Sequence, residues 1–135
     1  MILPMFAMVT LTFIVGITMR LRRDQVVREG FNWRYYKTYE GEKPPRHSLQ
    51  ADQHFVNLFE VPILFYVACL SILSISDSVD NITFALAWIY VLGRFVHARI
   101  SLTNNRLLWR ARVYVASGFI LYSMWIWIVY ITISS

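Results

Sequence analysis

Charge is scarce in this chain. Only 16% of its 135 residues are Asp, Glu, Lys or Arg while 57% are hydrophobic, far below the roughly one-quarter charged fraction of ordinary soluble domains. Water is therefore excluded as its main solvent. Cysteine is almost missing too: Cys69 stands alone, cannot form an intrachain disulfide, and inside an apolar run reads as a small packing residue. The histidines His47, His54 and His97 have no further Cys or His at ligand intervals, so no metal site is expected. Neither a glycine-rich phosphate loop nor a serine nucleophile elbow occurs. Internal repeats and low-complexity segments are also lacking. Chemistry here must come from arginines, a histidine, a tyrosine, a carboxylate and amides.

What the chain does have is uncharged length. Residues 1–19, 61–76, 81–93 and 113–135 carry no charge, and the first and last of these runs can cross a bilayer unaided, for which about 20 apolar residues suffice. The middle two reach that length once one intramembrane polar patch is admitted in each, giving 55–76 and 82–100. The expected fold is all-α: an integral membrane four-helix bundle forming a single domain over residues 1–135. Its helices are expected at about 1–23, 54–76, 82–102 and 110–134, with a connection at about 24–53.

The basic residues sit at or beside the boundaries of these spans, so the net charge of +5 points to membrane topology rather than to nucleic acid. Segment 20–53 holds eight Lys or Arg residues and 99–112 holds four, whereas the connection 77–81 holds Asp77 and Asp80 and no base. By the positive-inside rule the two basic segments are cytosolic and both termini lie outside. The N-terminal run has no basic n-region and no small-residue cleavage site, and its arginines follow the apolar stretch, so a retained first helix is expected. Phe31, Trp33, Tyr35, Tyr36 and Tyr39, interleaved with Arg34 and Lys37, suit a segment lying against lipid headgroups. Gly41 to Pro45 reads as a turn.

Polar groups inside a span cost several kcal/mol unless paired or wetted, and two helices carry them. Gln53, Asn57 and Glu60 are spaced by four and three residues, which puts them on one face, with Glu60 roughly 8 Å below the cytosolic end at about 1.5 Å per residue. Arg94, His97 and Ser101 repeat that geometry on the next helix. Arg110 and Tyr114, four apart, enter at the same boundary, where Arg20, Arg22 and Arg23 close the first helix. Glu60 with Arg94 could be a buried ion pair that fixes helix register. The convergence of one acid and several cations at one depth instead suggests a positive, water-reachable cleft for an anionic ligand.

At these residues the sequence resembles the MAPEG family, the membrane-associated proteins of eicosanoid and glutathione metabolism. The second-helix pattern Asn-x-x-Glu followed by Pro is met by Asn57, Glu60 and Pro62, and the third-helix Arg-x-x-His pattern of the prostaglandin synthase branch by Arg94 and His97. Arg110 and Tyr114 meet the fourth-helix pattern, and the basic end of the first helix meets the family's at Arg20 to Arg23. The departures are Gln53 and Ser101, where the family's eukaryotic enzymes have an arginine and a tyrosine. The likeness is to a bacterial branch, which implies an inner-membrane location.

The resemblance implies a homotrimer with three glutathione sites between subunits, open to the cytosol, and a lipophilic electrophile arriving from the bilayer. It implies that Arg110 stabilises the glutathione thiolate, as a cation does for any thiol. Glu60 would take the amino group, Asn57 and Tyr114 would hydrogen-bond the backbone, and Arg20, Arg94 and His97 would hold carboxylates or support the site. The implied function is a glutathione-dependent transferase or peroxidase. A non-catalytic member binding a lipid or anionic metabolite stays open because of Gln53 and Ser101. A small proton-coupled exporter ranks last, since the first helix has no carboxylate within its apolar run.

Overall fold

A computed structural model describes residues 1–76 and 78–134. Asp77, one of the two aspartates of the acidic connection, and Ser135 lie outside the described residues. The described chain is helical throughout, with no strand: α1 (Ile2–Arg28), α2 (Tyr35–Thr38), α3 (Arg46–Asn57), α4 (Val61–Ile75), α5 (Asn81–Leu102) and α6 (Leu107–Ser134).

Hydroxyl side chains in the apolar helices turn back on their own backbone. Thr10, Thr12 and Thr18 donate to the carbonyls four residues earlier in α1, and Ser123 and Thr132 do the same in α6, so these helices need no water to satisfy them. The first helix runs on past the apolar stretch to Arg28. There Gly30, at φ +102, lets Gly30 N donate to Val27 O and Phe31 N to Val26 O, which reverses the chain.

The second rod, expected as one helix, is two. Pro62 has no N–H to offer Leu58, and the residue before a proline is disfavoured in the α region. The helix accordingly stops at Asn57, Leu58 and Phe59 close with tighter turns onto Phe55 and Val56, and Glu60 stands at the N-cap position of α4, where its carbonyl accepts from Ile63 N and its side chain makes no capping bond. The connection expected at about 24–53 is likewise partly helical, since the end of α1, all of α2 and the first turns of α3 fall within it.

Arginines at the end of α1 organise this end of the bundle. Arg22 donates to the carbonyls of His47 at 2.8 Å and Leu102 at 2.6 Å, and Arg23 pairs with Asp52 at 2.8 Å while lying 4.8 Å from the centre of the Tyr36 ring. At the opposite end Asp80 caps α5, accepting from Ile82 N and Thr83 N and also from Trp127 Nε1 of α6.

α5 runs closely along α6, with Gly93 facing Ser117 so tightly that an added Cβ would stand 3.1 Å from the Ser117 Cβ. α1 packs against α3 and α5, and α4 against α6, where Trp125 Nε1 donates to Leu64 O at 3.3 Å. Met8, Leu11 and Val15 of α1 meet Phe65, Ala68 and Ile72 of α4, Tyr90 and Val91 of α5, and Leu121 and Met124 of α6 in one buried cluster. Large apolar side chains also cover the outside, including Phe6, Phe13, Leu70, Phe119 and Ile133, which is the surface of a protein solvated by lipid. Three rods, Ile2–Arg28, Arg46–Ile75 and Leu107–Ser134, are long and apolar enough to cross a membrane. α5 falls short of them in composition because it carries Arg94, His97 and Arg99.

Candidate functional site

Between α3, α5 and α6 lies a cavity of about 550 Å³. α3 contributes Gln53, His54 and Asn57, α5 contributes His97 and Ser101, and α6 contributes Arg110 and Tyr114. Each set follows from helical spacing, since residues three and four apart share a face. Arg110 sits in the first turns of α6, where its Nη1 donates to Asn105 Oδ1 at 2.7 Å. Asn105, in the short link 103–106, adopts φ +48, a left-handed conformation that asparagine tolerates. The loop thereby fixes the one guanidinium among the lining residues.

Tyr114 lines the cavity. Its ring lies 5.5 Å from that of His97, and the Arg94 guanidinium stands 5.3 Å from its centre. Arg94 is only 1% exposed, and its Nη2 donates to Asn57 O at 3.5 Å. That carbonyl is among those the helix break releases from α-helical pairing, so the cation answers the backbone of the broken rod. The His54 and His97 rings lie 5.0 Å apart, tilted by 42° to one another, and both are buried. No carboxylate lines the cavity among the described residues, so its fixed charge is positive.

Of the residues expected at a site, Asn57, His97, Arg110 and Tyr114 come together in this cavity. Arg94 lies beside Tyr114 but is not among the lining residues. Glu60 does not join them: it lies in the break 58–60 between α3 and α4, it is exposed and not among the cavity's lining residues, and it forms no ion pair with Arg94 among the described residues. Arg20 is also exposed, paired with Asp24 at 3.1 Å, and borders a separate apolar groove of about 620 Å³ walled by Phe13, Phe55 and Phe59. Gln53 and Ser101, the two departures from the eukaryotic pattern, both line the cavity. His54 was not foreseen, although its place three residues before Asn57 puts it on the same face. No cluster of three or more potential metal ligands occurs among the described residues.

The model of the MAPEG family matches residues 1–130. The chain belongs to the MAPEG family. No curated protein and no solved structure matches it. MAPEG membership together with the three apolar rods makes this an integral membrane protein of helical architecture. The match spans all four motif-bearing segments, so the cavity between α3, α5 and α6 is built from the MAPEG region of the chain.

Proposed function

We propose that this MAPEG protein is a glutathione-dependent membrane transferase or peroxidase, with glutathione held in the cavity between α3, α5 and α6. The observation that carries this reading is Arg110, a loop-anchored guanidinium in a cavity that also gathers Asn57, His97 and Tyr114 and has no lining carboxylate among the described residues. A fixed cation favours a thiolate over a thiol, and the volume lies within the range of small-molecule sites. The sulfur then attacks a lipophilic electrophile entering from the bilayer, forming the new bond at sulfur as the leaving group departs. Asn57 and Tyr114 hydrogen-bond the peptide, and Arg94 holds the Tyr114 ring.

In this reading α5 also crosses the bilayer, giving four spans. The basic end faces the cytosol of a bacterial inner membrane, and both termini lie outside. Assembly is a homotrimer, in which Glu60 and Arg20, exposed on one copy, are available to bound glutathione from a neighbour.

The test is the purified protein in detergent, titrated with glutathione while thiolate absorbance and conjugation of a generic electrophile are followed. Arg110→Ala is expected to reduce both by about 10²-fold or more, the scale of losing a preorganised charge-stabilising group. Wild-type conjugation by Arg110→Ala would remove the main support of the assignment. A second reading, a non-catalytic MAPEG protein binding a lipid or anionic metabolite, is favoured by Gln53 and Ser101 in the cavity wall. Glutathione binding with no thiolate absorbance in the wild type would decide for it.

A further inference from the structure

His54 belongs to none of the motifs that define the site, yet it lines the cavity. The residue is 1% exposed, and neither Nδ1 nor Nε2 has a hydrogen-bond partner among the described residues. His97, whose ring centre is 5.0 Å away, leaves its Nδ1 without a partner as well. A buried polar atom left unpaired costs about 1–3 kcal/mol, so side chains in this state on a cavity wall mark positions that a ligand completes.

The chemistry of the imidazole narrows what that ligand presents. In its neutral form the ring has one N–H donor and one acceptor nitrogen. Carboxylates or phosphates satisfy the donor but bring nothing to the acceptor, which needs an N–H or O–H from the ligand. Glutathione offers an ammonium and two amide N–H groups. Within one chain an ammonium is repelled by Arg110 in the lining and by nearby Arg94, with no lining carboxylate among the described residues to offset them, so in the trimer reading the amino group is left to Glu60 of a neighbouring copy. An amide N–H meets no such penalty.

We infer that His54 is a specificity-determining residue that recognises the peptide unit of a thiol-bearing peptide, accepting from an amide N–H and donating to a carbonyl oxygen. The inference rests on the reading of the cavity as a glutathione site, and adds that selection of a peptide over a simple lipophilic anion falls to His54. It also gives α3 a direct ligand contact at a level where Gln53 replaces the arginine of the eukaryotic enzymes.

Calorimetric titration of the intact protein in detergent tests it, with glutathione and S-methylglutathione as probes. His54→Leu removes both nitrogens and is expected to weaken binding of both probes by about tenfold or more, while His54→Gln, which keeps a donor and an acceptor, recovers at least half of the loss in log Kd. If His54→Leu fails to fold, as judged by its elution and thermal midpoint, His54→Phe carries the same comparison. Unchanged affinity in the folded apolar variant overturns the inference and leaves the glutathione site standing. A loss confined to glutathione places His54 at the sulfur and overturns the peptide assignment. Absence of glutathione binding by the wild type overturns both the site reading and this inference.

Discussion

Arg22 of α1 closes the C-terminal end of α5: its Nη2 donates to the Leu102 carbonyl at 2.6 Å while its Nη1 holds the His47 carbonyl at 2.8 Å. One planar cation thus joins α1, α3 and α5, and it satisfies a helix end that would otherwise lack a partner. Arg22→Gln is expected to lower stability by about 1–3 kcal/mol. Arg22→Lys should recover less than half of that, because the ammonium's three donors sit on one nitrogen, whereas arginine reaches the two carbonyls with two separate nitrogens of a planar fork. Denaturant titration in mixed micelles measures both. Full recovery by lysine would mean that only the positive charge matters.

Asp80 ties the other end of the bundle and makes it acid-sensitive. Burial opposes its ionisation, but hydrogen bonds from Thr83, Trp127 and Ile82 outweigh that and hold its carboxyl below the ordinary value of 3.8. A depressed folded pKa means that the stabilisation is fully present above the unfolded value and is lost as pH falls through the folded one. The thermal midpoint should be level from about pH 7 to 5 and fall below about 4. Asp80→Asn should flatten that acid limb, and Asp80→Ala should cost about 1 kcal/mol at neutral pH through the lost cap. An unchanged acid limb in Asp80→Asn would assign it to other carboxylates.

Gly93 sets the spacing between α5 and α6. Because the nearest atom to an added Cβ is Ser117 Cβ at 3.1 Å, with Ser117 Cα at 3.9 Å, relief requires moving a helix rather than a flexible tip. Gly93→Leu is expected to destabilise by about 1–3 kcal/mol. Ser117→Gly in the same chain should restore part of it. Additive effects of the two changes would show that the helices do not meet there.

Topology is checked by reporter fusions. A fusion after the C-terminal residue should report the outer compartment, and an insertion at Gly41 the cytosol. A cytosolic C-terminus would reverse the orientation and move the candidate cavity to the other face.

Assembly is checked by detergent-corrected mass in solution. A trimer is expected. A stable monomer or dimer would leave exposed Arg20 and Glu60 without the neighbouring copy through which they reach the ligand, and would restrict the site to the four motif residues of one chain.

The long apolar runs made α1 and α6 legible before any coordinates, because lipid leaves a helix few other compositions. The face Arg94, His97 and Ser101 was legible from spacing alone, and all three are buried in the structure. The break in the second rod was not, although its signal, Pro62, stood in the sequence. A proline about two turns inside a candidate span can kink the helix or end it, and here the bond from Arg94 to the Asn57 carbonyl accompanies an ending. Which of three neighbouring arginines faces inward was equally hidden: Arg22 and Arg23 turn into the bundle and Arg20 turns out, a matter of helix rotation that composition does not encode. His54 escaped notice because a lone histidine on a mixed face carries no pattern of its own.

The composition of α5 has a consequence for how the protein is made. A helix carrying Arg94 and His97 in its interior half costs several kcal/mol to place in hydrocarbon by itself, yet in the finished structure both side chains are covered by α3 and α6. Its link to α6 is only residues 103–106 long, and the two helices pack closely along their length. In the four-span reading proposed above, α5 and α6 would enter the bilayer as one hairpin, with the apolar α6 carrying its polar neighbour across. Biosynthesis would then include a two-helix insertion event, and stalling translation before α6 emerges should leave α5 outside the lipid.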